Sequence, residues 1–325
     1  MEHISSVVKI TKVSNNTETI ANDSNFIVKS FQLFGEVTDD SKTVKVASIQ
    51  IAVGNGEEKS SNIFQKVEKM IEAAGAENVN ILCLPELWYM PYPFYTPDSL
   101  AWKEFAEDGD TGASSIFIKN LAAKFNMVII SSILERDSYL FFNTTLVIST
   151  SGSVIGKYRK IHIPPIEKPF LQPGDFNHPV IHTEFGRIGI LICYERHFPL
   201  CWMMYGLQDV DIVFNPSAED EPSLSERLWF AEGLNAAVSN SFFTVMVNRT
   251  GTETFSDGSK FCYFGSNYVC SPYGYKTPHL PKDRDGMLIT ELDINDCRKA
   301  KTDLSIHQNS QLNNYISKLN EIKHN

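Results

Sequence analysis

Apolar and polar positions follow two different periods at the start of the well-patterned part of the chain. Residues 43–50, TVKVASIQ, alternate as a strand does, and residues 79–86, VNILCLPE, form the continuous apolar run of a buried strand. Between them, residues 60–76 place apolar side chains on one helical face, and Gly75 is predicted to end this helix. The apolar positions of that face are Ile63, Val67, Met70, Ile71 and Ala74. This order predicts a βαβ unit.

The middle and the end of the chain combine consecutive strands with strands separated by helices. Strand patterns cover residues 126–136, 141–150, 152–163, 187–195, 209–218, 242–250, 264–274 and 286–294. Helical patterns cover residues 199–208 and 225–240, and the second has its apolar positions at Leu228, Ala231, Leu234, Ala237 and Val238. Hairpins mixed with strand–helix alternation indicate an α/β fold with a mixed sheet, or with two stacked sheets flanked by helices.

The two ends of the chain differ from this central part. Residues 1–42 are polar and weakly periodic, so we predict an N-terminal extension, within which residues 30–37, SFQLFGEV, are able to dock on the body. Residues 301–325 are predicted to form a C-terminal tail that is helical or part of an interface. The chain has no internal repeat and no low-complexity linker, which favours one domain between them.

Composition and charge narrow the class of protein. The chain has 325 residues, 42% of them hydrophobic, and a formal net charge of −10, which argues against a general nucleic-acid binder. No apolar stretch approaches the roughly 20 residues of a membrane span, and the first residues lack the features of a signal peptide. We therefore expect a cytoplasmic protein with no membrane partner.

The cysteines and the motif spacings exclude several kinds of site. None of the six cysteines forms a C-x-x-C pair, so we expect free thiols, and the N-x-T sequences at Asn143 and Asn248 are read as coincidental. The chain contains no H-E-x-x-H, no phosphate-binding loop and no G-x-S-x-G, and GNGEEK at Gly54 lacks the third glycine of a dinucleotide loop. We therefore predict neither a metal nor a cofactor.

Cys193 ends an apolar strand pattern and is followed at once by Tyr194, Glu195 and Arg196. A buried cysteine is most often a small hydrophobic side chain, but ligands in α/β folds bind at the carboxyl ends of strands. A following helix at residues 198–204 would direct its N-terminal dipole at the sulfur, which predicts a lowered thiol pKa. Cys83 lies inside an apolar run and is predicted to be structural.

Three further side chains are candidates for reactive groups that act together with Cys193. Glu86 follows a buried strand among apolar and aromatic neighbours, where burial raises a carboxyl pKa toward values useful in proton transfer. Lys160 alternates with Lys157 and Arg159, so it points inward if they face water. Glu167 lies in a predicted loop, where an acidic side chain with a functional role and one that is simply exposed to solvent are equally consistent with the sequence.

A cysteine, a glutamate and a lysine form a coherent chemical set. A thiolate attacks a carbonyl carbon, a carboxylate moves the proton, and an ammonium stabilises the oxyanion that develops. Amide-like C–N bonds suit this set, because the leaving nitrogen must be protonated and the same acid can supply the proton.

Three segments carry a resemblance to a known family: LPELW at Glu86, KYRKIHIP at Lys160 and GILICYERHFP at Cys193. In this order they resemble the nitrilase superfamily of carbon–nitrogen hydrolases, over residues 43–300. Within that superfamily, further stretches are similar to the β-ureidopropionases, the N-carbamoyl-β-alanine amidohydrolases. These stretches are residues 105–138, 177–207, 212–218, 235–253 and 284–295.

The resemblance implies a fold, a reaction and a set of roles. It implies a four-layer αββα sandwich with two mixed sheets, which forms a homodimer or a higher homo-oligomer. The reaction would convert a small N-carbamoyl substrate, N-carbamoyl-β-alanine, to β-alanine, carbon dioxide and ammonia through a cysteine thioester. The implied roles are Glu86 as base, Lys160 at the oxyanion, Cys193 as nucleophile and Glu167 as the acid that holds Lys160. Substrate-binding residues are expected at Tyr194, Arg196, His197 and Asn215.

Departures from the β-ureidopropionase pattern leave the substrate open. Glu195 stands where those enzymes carry glycine, and residues 160–167 look more like N-carbamoylputrescine amidohydrolases. Arg196 would pair with a substrate carboxylate. Four acidic residues would instead attract a ureide that carries an amine, unless they are simply solvated. They are Glu195, Glu219, Asp220 and Glu221. Another N-carbamoyl amine or amino-acid amidohydrolase and a catalytically silent assembly or regulatory member are the alternatives.

Overall fold

The computed structural model describes most of the chain beyond the first 25 residues. The described residues are 26–34, 41–53, 60–92, 94, 100–220, 223–255, 257–306 and 309–323. The glycine-containing segment GNGEEK and Glu221 lie outside these ranges, so the interpretations made for them stay predictions.

A seven-stranded mixed sheet forms one half of the core. Its strands are β1 (Ile27–Gln32), β2 (Thr43–Gln50), β3 (Ile81–Cys83), β4 (Val128–Asp137), β5 (Leu140–Ile148), β6 (Val154–Arg159) and β14 (Gly286–Asp293). The spatial order is β1-β14-β2-β3-β4-β5-β6. Strands β2, β3 and β4 are parallel, and β4, β5 and β6 form an antiparallel meander. The predicted βαβ unit and hairpins are confirmed.

A five-stranded mixed sheet forms the other half. Its strands are β7 (Ile181–Thr183), β8 (Gly186–Ile190), β9 (Ile212–Ser217), β10 (Phe243–Asn248) and β13 (Tyr268–Cys270). The order is β13-β10-β9-β8-β7, with β8, β9 and β10 parallel. A separate hairpin pairs β11 (Thr250–Thr254) with β12 (Lys260–Phe264).

Helices pack outside the two sheets, except the last of them, which has no buried residue. They are α1 (Ser60–Ala76), α2 (Ala113–Phe125), α3 (Pro199–Leu207), α4 (Ser223–Asn240), α5 (Asn295–Leu304) and α6 (Leu312–Lys323). Two 3₁₀ segments, Leu100–Phe105 and Cys193–His197, add single turns.

Strand alternation explains why the layers stack in the order α, β, β, α. Along β2, Val46 joins the apolar cluster that contains β9 and β10, whereas Ala47 and Ile49 join the cluster that contains α1 and α2. Successive side chains of a strand point to opposite faces, so one strand serves both clusters. Two sheets packed face to face, with helices outside both, confirm the predicted four-layer sandwich.

Two details of the helices differ from the predictions. Gly75 does not end α1, which continues to Ala76; a Cβ at this glycine would lie 2.5 Å from the ring of Phe125, so glycine permits close packing of α1 against α2. In α4 the buried side is rotated away from the predicted face, and Ala231 is exposed. Its buried positions are Trp229, Gly233, Ala236, Ala237 and Asn240.

The N-terminal segment supplies an edge strand. Strand β1 pairs in parallel with β14, and Phe31, Leu33 and Phe34 are buried. Part of the predicted extension is therefore integrated into the larger sheet through backbone pairing and apolar burial. The domain limits at residues 43 and 300 stay predictions.

Candidate active site

The four predicted reactive residues all follow strands that end on the same side of the two sheets. Glu86 follows β3 and Lys160 follows β6 in the larger sheet, with Glu167 in the loop beyond β6. Cys193 follows β8 in the smaller sheet. Because β3, β6 and β8 reach this side with their carboxyl ends, segments far apart in sequence meet between the sheets.

Lys160 lies between two carboxylates. Its Nζ is 2.9 Å from Glu86 Oε1 and 2.8 Å from Glu167 Oε1, and all three side chains are fully buried. Burial opposes the charged form of the lysine, but the carboxylates of Glu167 and Glu86 outweigh it and hold the pKa of the ammonium well above its ordinary value. The inward orientation predicted from strand alternation is confirmed, while Lys157 is exposed and Arg159 half-buried.

The Glu86 carboxylate is held by further donors. Asn143 Nδ2 donates to Oε1 at 2.6 Å, and the Ala218 backbone N–H donates to Oε2 at 2.8 Å. The Glu86 carbonyl accepts a hydrogen bond of 2.9 Å from Arg249 Nε, and the same guanidinium pairs with Glu253 at 2.6 Å. These contacts fix both the position and the direction of the carboxylate.

Asn143 and Arg249 hold Glu86 in place but were not predicted as site residues, because in the sequence they stand out only as parts of N-x-T sequences. Both side chains are fully buried, as is Asn248, so none of these sequences presents a free asparagine at the surface. Arg249 follows the apolar run of β10, the same pattern that drew attention to Cys193. A charged residue at the end of a buried strand is therefore the sequence feature by which Arg249 could have been identified as a site residue.

Glu167 is buried rather than exposed. Its Oε1 accepts hydrogen bonds from Lys160 and from the hydroxyl of Tyr92, and no described residue donates to its Oε2. Burial raises the pKa of this carboxyl above its ordinary value, although the Lys160 ammonium opposes the rise. Glu167 therefore anchors Lys160 from the side opposite Glu86 and retains one unused acceptor.

Cys193 begins the 3₁₀ turn with a left-handed backbone. Its φ of 50° lies in the left-handed region, which costs a non-glycine residue about 1–3 kcal/mol. The residue is 6% exposed, and its thiol donates to Glu219 Oε2 at 3.6 Å. The sulfur therefore has charged neighbours instead of an aliphatic enclosure.

The prediction of a lowered thiol pKa is wrong. Burial raises the pKa of the Cys193 thiol well above its ordinary value, and the Glu86 carboxylate adds to this rise, while the Lys160 ammonium opposes it. The helix α3, whose dipole was expected to act on the sulfur, begins only at Pro199, after an intervening 3₁₀ turn. The resting Cys193 thiol is consequently neutral and would need a base to act as a nucleophile. Cys83 is fully buried, in agreement with a structural role.

Arg196 is occupied by two acidic side chains. Its Nη1 donates to Glu219 Oε2 at 2.8 Å, and its Nε lies 3.0 Å from Glu232 Oε2. The residue is 1% exposed. His197 Nδ1 contacts the other oxygen of Glu232 at 2.6 Å. The Nη2 of the Arg196 guanidinium is buried and has no hydrogen-bond partner among the described residues, so it is the atom left to bind a substrate carboxylate.

Asn215 and Tyr194 flank the turn that carries the thiol. The Asn215 amide is fully buried and donates to the carbonyls of Leu191, at 2.6 Å, and Cys193, at 3.4 Å. Tyr194 is half-buried, with its ring centroid 5.3 Å from that of His197. In this structure Asn215 supports the backbone of the turn, and the substrate contacts predicted for these residues stay predictions.

Glu195 is neither solvated nor directed at a substrate. Its Oε1 accepts hydrogen bonds from the Tyr158 hydroxyl at 2.8 Å and from the backbone N–H groups of Ile161, at 3.0 Å, and His162, at 3.2 Å. Its Oε2 accepts from the N–H of Ile192 at 2.8 Å. This buried carboxylate joins the segment around Lys160 to the residue before Cys193.

Replacing Glu195 with glutamine should lower the free energy of unfolding by about 2–4 kcal/mol, because an amide nitrogen would face donors that are buried and left without an acceptor. Urea denaturation of the purified variant measures this loss. Glu104→Gln, at an exposed position, is the matched control and should change stability by less than about 0.5 kcal/mol. Equal stability of the two variants would contradict the conclusion that Glu195 stabilises the folded protein.

The residues that the structure describes were compared with the requirements of a metal site and of a membrane span. Among them, no group of three or more histidine, cysteine, aspartate or glutamate side chains is arranged to hold a metal ion. Within the same ranges, no helix combines the length and apolar character needed to cross a membrane.

Taken together, these side chains combine a thiol, a carboxylate held in place, and a charged ammonium. The carboxylate can accept a proton, the thiol can attack an electrophilic carbon, and the ammonium can stabilise negative charge on an oxygen. Acyl transfer from a C–N bond is the reaction class that uses all three groups.

Comparison with known proteins agrees with this chemistry. The family profile described as carbon-nitrogen hydrolase matches residues 45–302. The chain is 42% identical to a beta-ureidopropionase of Arabidopsis thaliana over 295 residues, which cover 84% of this chain and 72% of that protein. It is 28% identical to an N-carbamoylputrescine amidase of Oryza sativa over 271 residues, covering 79% and 88% of the two chains.

The fold also matches a solved structure. The crystal structure of a carbon-nitrogen hydrolase from Helicobacter pylori superposes with a TM-score of 0.79 at 22% sequence identity. The superposition covers 86% of this chain and 99% of the other. The likeness supports the sandwich architecture described above.

Proposed function

This chain belongs to the carbon-nitrogen hydrolase family, and on that premise we propose that it hydrolyses the ureido C–N bond of N-carbamoyl-β-alanine to β-alanine, carbon dioxide and ammonia. The observation that carries the proposal is Lys160 held between Glu86 and Glu167 beside the Cys193 thiol. The identity to a beta-ureidopropionase over most of the chain supports the substrate.

The first half of the reaction forms a covalent bond at sulfur. Glu86 accepts the thiol proton of Cys193, and the thiolate adds to the ureido carbonyl carbon. Lys160, together with a backbone N–H near Tyr194, stabilises the oxyanion of the tetrahedral intermediate. Protonation by Glu86 then lets one nitrogen leave and a thioester remain.

The second half uses the same groups with water. Glu86 takes a proton from water, the hydroxide adds to the thioester carbonyl, and collapse releases the sulfur, which regains its proton. Hydrolysis of the thioester releases a carbamic acid, which decomposes to carbon dioxide and the amine it carries. The products are β-alanine, ammonia and carbon dioxide, whichever nitrogen left first. Glu167 keeps Lys160 in place throughout, because it contacts the ammonium from the side away from Glu86.

A panel of N-carbamoyl compounds tests this function. The purified chain should release ammonia from N-carbamoyl-β-alanine, with a higher kcat/KM than from N-carbamoylputrescine or from N-carbamoyl α-amino acids. If no compound of the panel releases ammonia, the proposed function is contradicted, and a catalytically silent assembly or regulatory protein is favoured. A preference for N-carbamoylputrescine would select the second candidate.

That second candidate has an observation in its favour. Glu219 places a carboxylate 3.6 Å from the sulfur, where it would attract an ureide with an amine tail. The chain is also similar to an N-carbamoylputrescine amidase, although at lower identity.

We also propose that the chain forms a homodimer or a larger homo-oligomer. Apolar side chains of α6 are exposed although they share one helical face, and α3 exposes a similar stripe. They are Tyr315, Ile316, Leu319 and Ile322 on α6, and Leu200, Met204 and Leu207 on α3. Sedimentation velocity at micromolar concentration should give at least a dimer mass, which Ile316→Glu combined with Leu319→Glu should reduce. A monomer in the wild type would contradict self-association.

A cytoplasmic location is the remaining part of the proposal. Its support is chemical: all six cysteines are free, as expected for thiols in a reducing compartment. Fractionation that recovers the chain from an oxidising compartment would contradict it.

A further inference from the structure

Glu219 stands beside the nucleophile but has no part in the steps above. Its carboxylate accepts from the Cys193 thiol at 3.6 Å and from Arg196 Nη1 at 2.8 Å. Its backbone is fixed by Asn248, whose Oδ1 accepts from the Glu219 N–H at 2.8 Å and whose amide donates to its carbonyl at 3.1 Å. The acid is therefore built into the site.

Charges of both signs act on the sulfur, and the acids are in excess on the Arg196 side. Burial opposes ionisation of Glu219, but the Arg196 guanidinium outweighs burial and lowers the pKa of the carboxyl. Arg196 is shared with Glu232, so one positive charge faces two negative ones. A substrate whose carbonyl carbon bonds to the sulfur must place its substituents close to this negatively charged arrangement.

We infer that Glu219 is a specificity-determining residue, which penalises ureides with an anionic tail and extends the substrate range of this site to ureides with a cationic tail. The inference rests on the proposed amidohydrolase function and adds a residue that sets its substrate class. It acts in two ways: Glu219 repels a carboxylate directly, and it holds Nη1 of Arg196, so that a substrate carboxylate could bind only Nη2 and not both atoms.

The expected size of the effect follows from the short distances. A unit charge a few ångströms away, at an effective dielectric constant of about 20, changes binding by about tenfold or more. Removing the charge should therefore change kcat/KM for anionic and for cationic tails in opposite directions, and their ratio by about 10²-fold.

Glu219→Gln tests the inference with three substrates: N-carbamoyl-β-alanine, N-carbamoylputrescine and neutral N-propylurea. Each kcat/KM is divided by the value for N-propylurea, so that any general loss of activity cancels. The normalised value should rise about tenfold for the anionic substrate and fall about tenfold for the cationic one. Glu104→Gln removes a charge from an exposed position outside the acidic group and should leave both values within about threefold.

The outcomes separate this inference from the function it rests on. Wild-type protein inactive on all three substrates would remove the proposed function. Activity in the wild type with unchanged normalised values in Glu219→Gln would overturn the role of Glu219 alone. Glu219→Asp keeps the charge and should keep the wild-type order of substrates; a Gln-like shift in that variant would also overturn the role, and it remains measurable if Glu219→Gln fails to fold.

Discussion

Cys193→Ala is expected to abolish ammonia release from N-carbamoyl-β-alanine and to leave substrate binding intact. In the proposed mechanism the sulfur forms the covalent bond, and Cys193 is a cysteine whose charge acts on the Lys160 ammonium. Alanine is smaller than cysteine and leaves the buried Lys160–Glu86–Glu167 contacts in place. Ammonia assays and isothermal titration calorimetry on the same preparation measure the two quantities separately.

A second cysteine variant shows whether replacing any thiol lowers turnover. Cys262 is exposed on β12, so Cys262→Ala should keep wild-type turnover. Turnover by Cys193→Ala at the wild-type rate would rule out the thioester route, whatever the binding data.

Glu86→Gln is expected to lower kcat by about 10²-fold or more, which is the usual contribution of general acid–base catalysis. The amide cannot accept the thiol proton, and the raised pKa of the Cys193 thiol means that little thiolate forms without a base. Rapid mixing with substrate, followed by acid quenching, measures how fast the covalent adduct forms.

The same experiment contains its control. Glu104→Gln changes an exposed glutamate and should form the adduct at the wild-type rate. An adduct of unchanged rate and amplitude in Glu86→Gln would show that another group deprotonates the sulfur. Glu219, which already accepts from the thiol, would then be the first group to examine.

Local patterns predicted most of the fold, because in this chain the spacing of apolar residues agrees with which side chains are buried. Strand β2 has the predicted limits, Thr43–Gln50, and helix α1 lies where its pattern predicts but continues past Gly75 to Ala76. Alternation and helical spacing each bury one set of side chains. Strand β3 covers only Ile81–Cys83 of its longer apolar run, whose remainder turns out of the sheet toward Glu86. An apolar run indicates burial but does not say where backbone pairing ends.

The partners of the site residues were beyond the reach of local patterns. Glu86, Lys160, Glu167 and Cys193 were predictable because each follows a strand or matches a recognisable segment. The contact of Glu86 with Arg249 joins positions 163 residues apart, and that of Tyr158 with Glu195 spans 37. Such pairs depend on how the two sheets pack together, which no single window of sequence contains.

The thiol pKa illustrates the same limit in electrostatic terms. A helix following Cys193 was predicted and found, yet the effect expected of its dipole is outweighed by burial and by Glu86, which is distant in sequence. Glu195 likewise looked like an acid available to solvent or substrate, and it is instead a buried acceptor for four donors. Charge alone did not reveal whether an acid is paired.

The most direct measurement is peptide mapping of wild-type protein that has been acid-quenched during its first turnover of N-carbamoyl-β-alanine. The account predicts a substrate-derived group on the peptide that contains Cys193, formed no later than the first equivalent of ammonia or β-alanine and lost when substrate is exhausted. Release of a full equivalent of product from protein whose Cys193 stays unmodified at every time point would contradict it.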